Sequence, residues 1–280
     1  MDIFEKEPIS LYLSKLIRIE DYYSEKQHIQ FFQHPWMGYV LVINGEIQHV
    51  ENYQVLYHEL LVHLSMAFIA YPHDILILGG GSLFAASEVL KYPSVKNLVL
   101  CDYDHSVLNL MSKYYKHARV VLDDPRFHYQ EEDARKFISA TNQTFDLVIN
   151  DCFNLAAESD RSGLSAFSQL SKLCTKSGIC VDIIYRHVFD RPTTIRTLSL
   201  LHQECNMVLS LVVVPEYPGI LHLETIWGNC NSLSQDAKMP INDYQLSIVK
   251  SSESPFLFYS PQYLPYYLYL PPYIKQMLNQ

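Results

Sequence analysis

The stretch Ile75–Leu90, ILILGGGSLFAASEVL, sets three consecutive glycines between a four-residue apolar run and a helix-like segment, in a chain with only nine glycines. A short apolar run closed by glycine and followed by a helix is the entry to a βα unit. Glycines at that turn let a ligand approach the backbone closely. The spacing narrows the ligand. A dinucleotide fingerprint needs G-x-G-x-x-G; Gly79 and Gly81 fit it, but the third position is Phe84. A P-loop needs a lysine after its last glycine, whereas Gly81 is followed by Ser82-Leu83. Neither phosphate site is supported. The remaining reading is a nucleoside without pyrophosphate, such as S-adenosylmethionine or a relative.

The chain on either side of this loop agrees. Downstream, DILILG, NLVLCDYD, RFHYQ, FDLVIND and GICVDIIY read as short apolar strands with helical patterns between most of them. That alternation predicts a doubly wound, mainly parallel sheet. Two further runs, MVLSLVVVP and LHLETIWGN, are expected to form an antiparallel pair closing one sheet edge. Asp102, at the end of the second strand, lies 21 residues beyond Gly81, where an acid accepts hydrogen bonds from ribose hydroxyls. Asp133, after the third strand, is placed to meet an adenine amino group, or else to cap a helix. Upstream, HIQFFQ precedes YVLVINGEIQHV, whose Asn44-Gly45 is a type I′ hairpin signal. Leu56, Leu60, Leu64 and Phe68 recur every four residues and predict a helix over 53–68, ended by Pro72. The tail, YSPQYLPYYLYLPPYIKQML, reads as a packed extended segment with a short final helix.

Composition excludes several classes. The 280 residues, 49% hydrophobic and 18% charged, fit an ordinary globular chain. No apolar run approaches the roughly 20 residues of a membrane span. The opening MDIFEKEPIS carries acids and no apolar core, so no signal peptide is expected. Six cysteines form no CxxC pair and sit mostly within or beside apolar runs, as reduced core cysteines do; a cytoplasmic protein without structural zinc is expected. A formal charge of −9 argues against a nucleic-acid partner and favours cationic ligands.

With these blocks in hand, the sequence resembles the polyamine aminopropyltransferases, the spermidine synthase family, over nearly its whole length. The matching blocks are GYVLVINGEIQHVENYQVLYHELLVHL, ILILGGGS, EVLKYPSVKNLVLCDYD, EEDARKF, FDLVINDC, VPEYPG and YSPQYLPYYLYLP. Methyltransferases share the glycine loop and the ribose acid, but not the N-terminal hairpin with Gln48 and Tyr57-His58. The resemblance implies a Rossmann-like, class I methyltransferase-like domain over 56–280 and a small N-terminal β domain over 1–55. It implies transfer of the aminopropyl group of decarboxylated S-adenosylmethionine to a di- or polyamine, typically putrescine, giving spermidine and methylthioadenosine. It implies no metal or redox cofactor, and assembly as a homodimer or homotetramer.

The resemblance also assigns residues. Asp151, ending the FDLVIND strand, falls on the family's catalytic Asp, and Tyr57 would orient the nucleophilic amine. Gln48 matches a glutamine near the nucleoside, His58 a ligand-contacting position, and Tyr217 a tyrosine lining the amine pocket. Gly79, Gly80 and Gly81 would carry the donor, with Asp102 on its ribose and Asp133 near its base. HELLVH is no zincin motif, because His58 and His63 are five residues apart and point about 140° apart on a regular helix. Two positions depart from the family. Its G-G-G-D-G becomes Gly79-Gly80-Gly81-Ser82-Leu83, and its D-S-S-D-P becomes Asp151-Cys152-Phe153-Asn154-Leu155. Ser82 and Asn154 thus replace two carboxylates that would meet cationic amines. The alternative readings are a methyl- or aminocarboxypropyl-transferase using intact S-adenosylmethionine, and a nucleoside-binding homologue with little turnover.

Overall fold

Apolar runs in the middle of the chain become strands because helices cover both of their faces. A computed structural model describes residues 3–4, 12–152, 165–184, 191–214, 221–228, 233, 243–251 and 256–278. After a short antiparallel pair, β1 (Ile3–Phe4) with β2 (Tyr12–Leu13), four strands form an antiparallel sheet in chain order. They are β3 (Ile17–Tyr23), β4 (His28–His34), β5 (Gly38–Ile43) and β6 (Glu46–Val50). Asn44 and Gly45 both take positive φ, 54° and 84°, as the expected hairpin turn requires. The sequence reading had not singled out β3, which continues this meander at its outer edge.

Helix α1 (Gln54–Met66) follows. It is shorter at both ends than the expected 53–68, and every residue from His58 to Met66 is buried. The four-residue leucine stripe therefore understates it: a helix apolar nearly all round is a central one. The second sheet has the order β12-β13-β11-β10-β7-β8-β9. Its strands are β7 (Asp74–Gly79), β8 (Asn97–Asp102), β9 (Phe127–Glu131), β10 (Phe145–Asp151), β11 (Cys174–Ile184), β12 (Asn206–Val213) and β13 (Leu221–Gly228). β7 to β11 pair in parallel, and β13 runs antiparallel to both β11 and β12, closing the edge as the sequence suggested. β11 begins four residues before the expected GICVDIIY, where its pairing with β10 shifts register between Phe145 and Leu147.

This is a Rossmann-like fold with a small N-terminal sheet. Chain order leaves β7 toward β8 on one side and β10 on the other, so the topological switch point lies between β7 and β10. The small sheet presents Ile29, Phe31 and Leu41 to the main core and Phe32, Val40, Val42, Ile47 and Val50 to its own. Polar staples hold it over the carboxyl end of β8. Ser24 Oγ donates to Asp104 Oδ2 at 2.6 Å, and Tyr103 donates to Gln27 Oε1 at 2.6 Å. The tail is tied to α1 by buried Glu59, whose carboxylate accepts from the amides of Leu257, Phe258 and Tyr259 at 2.7–2.8 Å. The expected final helix is Pro272–Leu278.

Candidate active site

A cleft of about 360 Å³ opens at the switch point, between the N-terminal sheet and the carboxyl ends of β7, β8 and β10. It gathers Gln48, Tyr57, His58, Gly79, Gly80, Gly81, Ser82, Asp102 and Asp151 from six separate elements or turns. Gln48 stands exposed on β6, with the cleft on its open side. Asn154 and Tyr217 lie outside the described residues.

The glycine loop is built against Asp151. Gly79 pairs with Asp151 across the sheet and takes φ +77°. A Cβ there would sit 2.6 Å from Cys152 Cβ and 2.9 Å from the Asp151 carbonyl, so no side chain fits. Gly80, at φ +74°, brings its backbone to the Asp151 carboxylate: a Cβ would lie 3.4 Å from Oδ2. Leu83 follows with φ 64°, a left-handed conformation at the entry of helix α2 (Phe84–Val89). A leucine held there carries about 1–2 kcal/mol of strain, offset by its complete burial.

Asp151 and Tyr57 meet. The Tyr57 hydroxyl donates to Asp151 Oδ1 at 2.6 Å, joining α1 to the end of β10. Burial at the cleft floor pushes the Asp151 carboxyl up to about 6; the Tyr57 hydrogen bond opposes this and the nearby Asp102 charge adds to it. Asp102 is raised too, chiefly by burial, although the amides of Asp104 and Gly81 favour its charged form. The Asp104 amide donates to Asp102 Oδ1 at 3.0 Å. Asp133 is placed otherwise. It is the N-cap of Ala134–Ala140, accepting from the amides of Arg135 and Lys136, and it does not line the cleft. The capping alternative describes what that carboxylate does in this structure.

Around Ser82 the sequence reading missed a group of rings. Phe84 stacks on His49 and packs against His58 and His117, with ring centroids 4.6, 5.5 and 3.9 Å away. Burial lowers all three histidines, His58 to about 4, so they are neutral near pH 7. His58 Nδ1 lies 3.0 Å from the Gln54 carbonyl; as a neutral ring it donates there and turns an accepting Nε2 away. His63 goes elsewhere, bound to Tyr92 and Glu88 at 2.9 Å each under Phe256. The two histidines of HELLVH thus serve different places. The signal for the ring group was scattered over four segments, and only the fold assembles it.

Sheet order, a glycine loop at the switch point and two half-buried acids at strand ends define a Rossmann-like α/β protein with a cleft at the ends of its parallel strands. The description "spermine/spermidine synthase domain" matches residues 54–237, and the chain belongs to that family. It is similar to the polyamine aminopropyltransferase of Escherichia fergusonii, 30% identical over 55% of this chain and 54% of the relative. It is also similar to that of a Thermoanaerobacter species, 29% identical over 70% and 71%. The chain spans about half the length of the first of these curated relatives. In structure it resembles the spermidine synthase from Thermotoga maritima at TM-score 0.83 and 21% identity, over 99% of this chain and 93% of that one. A spermidine synthase in complex with the transition state analogue AdoDATO gives TM-score 0.82 at 21% identity, over 99% and 94%. Among the described residues no helix is long and apolar enough to cross a membrane.

Proposed function

We propose that this chain is a polyamine aminopropyltransferase. It moves the aminopropyl group of decarboxylated S-adenosylmethionine to an amine, putrescine in the first instance, and releases methylthioadenosine. The observation that carries this reading is the 2.6 Å contact between Tyr57 and Asp151, set directly beside the glycine loop. The nucleoside lies along Gly79–Gly81 with its ribose on Asp102. That leaves the sulfonium-bearing methylene facing Asp151 and Tyr57.

In the reaction the amine nitrogen attacks the methylene, the carbon–sulfur bond breaks, and its electron pair neutralises the sulfonium. The sulfonium is already a good leaving group, so the site has two tasks: positioning the amine and taking its proton. An amine near 10.4 facing an ordinary Asp near 3.9 is mismatched by roughly 9 kcal/mol at 1.36 kcal/mol per pKa unit. With Asp151 at about 6 the mismatch falls to roughly 6 kcal/mol, and desolvating the ammonium narrows it further. Asp151 then relays the proton to water while Tyr57 holds the carboxylate in place. The decisive experiment offers decarboxylated and intact S-adenosylmethionine with a panel of amines and identifies products by mass spectrometry. Methylated or aminocarboxypropylated products, or none, would replace this reading.

Two further results are expected. Tyr57→Phe removes the donor that favours the charged carboxylate, so the Asp151 pKa rises above about 6. The base works deprotonated, so the acid limb of kcat/KM moves to higher pH, by about one to two units for a charged hydrogen bond of about 1.5–3 kcal/mol. A limb that stays in place would separate Tyr57 from the base. Asp102→Ala should weaken methylthioadenosine binding roughly 10- to 150-fold, since two ribose hydroxyls lose an ionised acceptor. Calorimetry measures it, and unchanged affinity would put the ribose elsewhere.

A further inference from the structure

Asp151 stands between two residues that are tied to each other. Asn150, just before it, accepts at Oδ1 from the amide of Cys152 at 3.4 Å and from the Cys152 thiol at 3.7 Å. A side-chain oxygen bound to the amide two residues on is an Asx turn, which competes with the sheet ladder and bends the chain. The bend falls where β10 ends, at Asp151. The Asn150 side chain is itself held. Its Nδ2 donates to Asp182 Oδ1 of β11 at 3.0 Å. With Nδ2 on Asp182, the amide oxygen is turned toward Cys152, so the acid fixes which way the amide faces.

Register explains the arrangement. Asn150 and Asp182 are paired neighbours on β10 and β11. Successive side chains of a strand point to opposite faces, so Asn150 lies across the sheet from Asp151. Val148 and Cys180, two residues back on the two strands, belong to the core covered by helices Ala134–Ala140 and Ser165–Lys172. Asp151 faces the other core, with Tyr57 of α1. Asn150 and Asp182 are each 3% exposed, a polar pair in an apolar layer. Apolar residues of the same shape in both places would be close to neutral for stability, so the core itself has no need of the pair. Burial pushes the Asp182 carboxyl well above the ordinary carboxylate range, against the hydrogen bonds from Ile183 and Asn150. Near pH 7 it is therefore uncharged. It orients Asn150 without setting a second negative charge beside Asp151.

We propose, on the aminopropyl-transfer reading, that Asp182 acts through Asn150 to clasp the chain on both sides of Asp151, and so positions the Asp151 carboxylate for the attacking amine. Asp182 and Asn150 are positioning residues, and neither lines the cleft. The clasp also bears on the donor side, because Cys152 Cβ stands 2.6 Å from where a Cβ on Gly79 would be. The turn after Asp151 and the glycine loop thus close on each other. A displacement of about 1 Å at a reacting group can cost on the order of 100-fold in rate, so a small slackening of this turn is enough to matter.

The test compares wild type with Asp182→Leu and Asn150→Leu, which keep a branched shape, with their double variant, and with Asp182→Ala, which guards against overpacking. Single-turnover rate, methylthioadenosine affinity, Tm and hydrogen exchange at the Cys152 amide are measured for each. The expected result is a single-turnover rate about 10-fold or more below wild type in every variant, with methylthioadenosine affinity within about threefold. Because Asp182 acts through Asn150, the double variant should fall within about threefold of Asn150→Leu. A purely structural pair would move Tm and leave the rate of the folded protein alone. Exchange at Cys152 should quicken about 10-fold or more in Asp182→Leu and Asp182→Ala, and this readout needs no turnover. Rates within about threefold of wild type in both folded Asp182 variants overturn the proposal, as does Cys152 exchange that matches wild type in both. If exchange quickens but wild type transfers no aminopropyl group, the reaction assignment falls and the clasp stands.

Discussion

Asp151→Asn is expected to lower turnover at least about 100-fold while methylthioadenosine affinity changes little, the scale of losing a positioned base. The expectation follows from how the position is built. The carboxylate ends β10 at the switch point, accepts from Tyr57 at 2.6 Å, and abuts the backbone of Gly80. An asparagine has nearly the same shape and can still accept from Tyr57, so the cleft keeps its form. What it loses is the charge that, in the proposed reaction, holds the ammonium and takes its proton. In the proposed binding mode the nucleoside leans on Asp102 and the glycine loop instead, so product affinity separates the two functions. Single-turnover measurements with saturating donor isolate the chemical step from release. Near-normal turnover in this variant would remove Asp151 from the proton path and leave Asp102 as the acid to examine.

The sequence made much of this site legible because its parts sit where βα units end. β7 and β10 coincide with the apolar runs read as strands, since a strand buried on both faces is apolar throughout. An acid closing such a run, as at Asp102 and Asp151, falls at the carboxyl end of the sheet, where ligands bind. Asn44-Gly45 announced its hairpin through backbone chemistry alone. Other features needed the third dimension. Asp133 fits both a cap and a ligand contact in the sequence because the two share one pattern, an acid just before a helix, and the fold shows the cap. His49 and His58 lie nine residues apart on a strand and the helix after it, but His117 comes from a helix much further along the chain, so no local motif unites the three. Periodicity places a residue on a face, whereas register decides which row it joins.

Ser82→Asp should shift donor preference toward decarboxylated S-adenosylmethionine by about 2–3 kcal/mol, roughly 30- to 150-fold in the ratio of dissociation constants. An aspartate there pairs with the ammonium of the decarboxylated tail and repels the carboxylate of the intact one. The surroundings make the outcome informative. The rings beside Ser82 are uncharged: Phe84 packs against three histidines that burial keeps neutral, and His117 Nε2 stands 3.4 Å from the Ser82 carbonyl. In this low-polarity corner a new carboxylate acts on the donor at short range with little screening. It also attracts a proton to the nearest imidazole, which would spend part of its charge on His117 or His58. The two effects separate by pH. Above the raised histidine pKa the new carboxylate is unpaired and the preference for the decarboxylated donor is full; below it the pair forms internally and the preference shrinks. The experiment therefore measures both dissociation constants for both proteins across pH. A ratio unchanged at every pH would mean that residue 82 does not face the donor's tail. A shift toward the intact donor would mean that the loop carries the nucleoside in the reverse direction, with its tail away from Asp151.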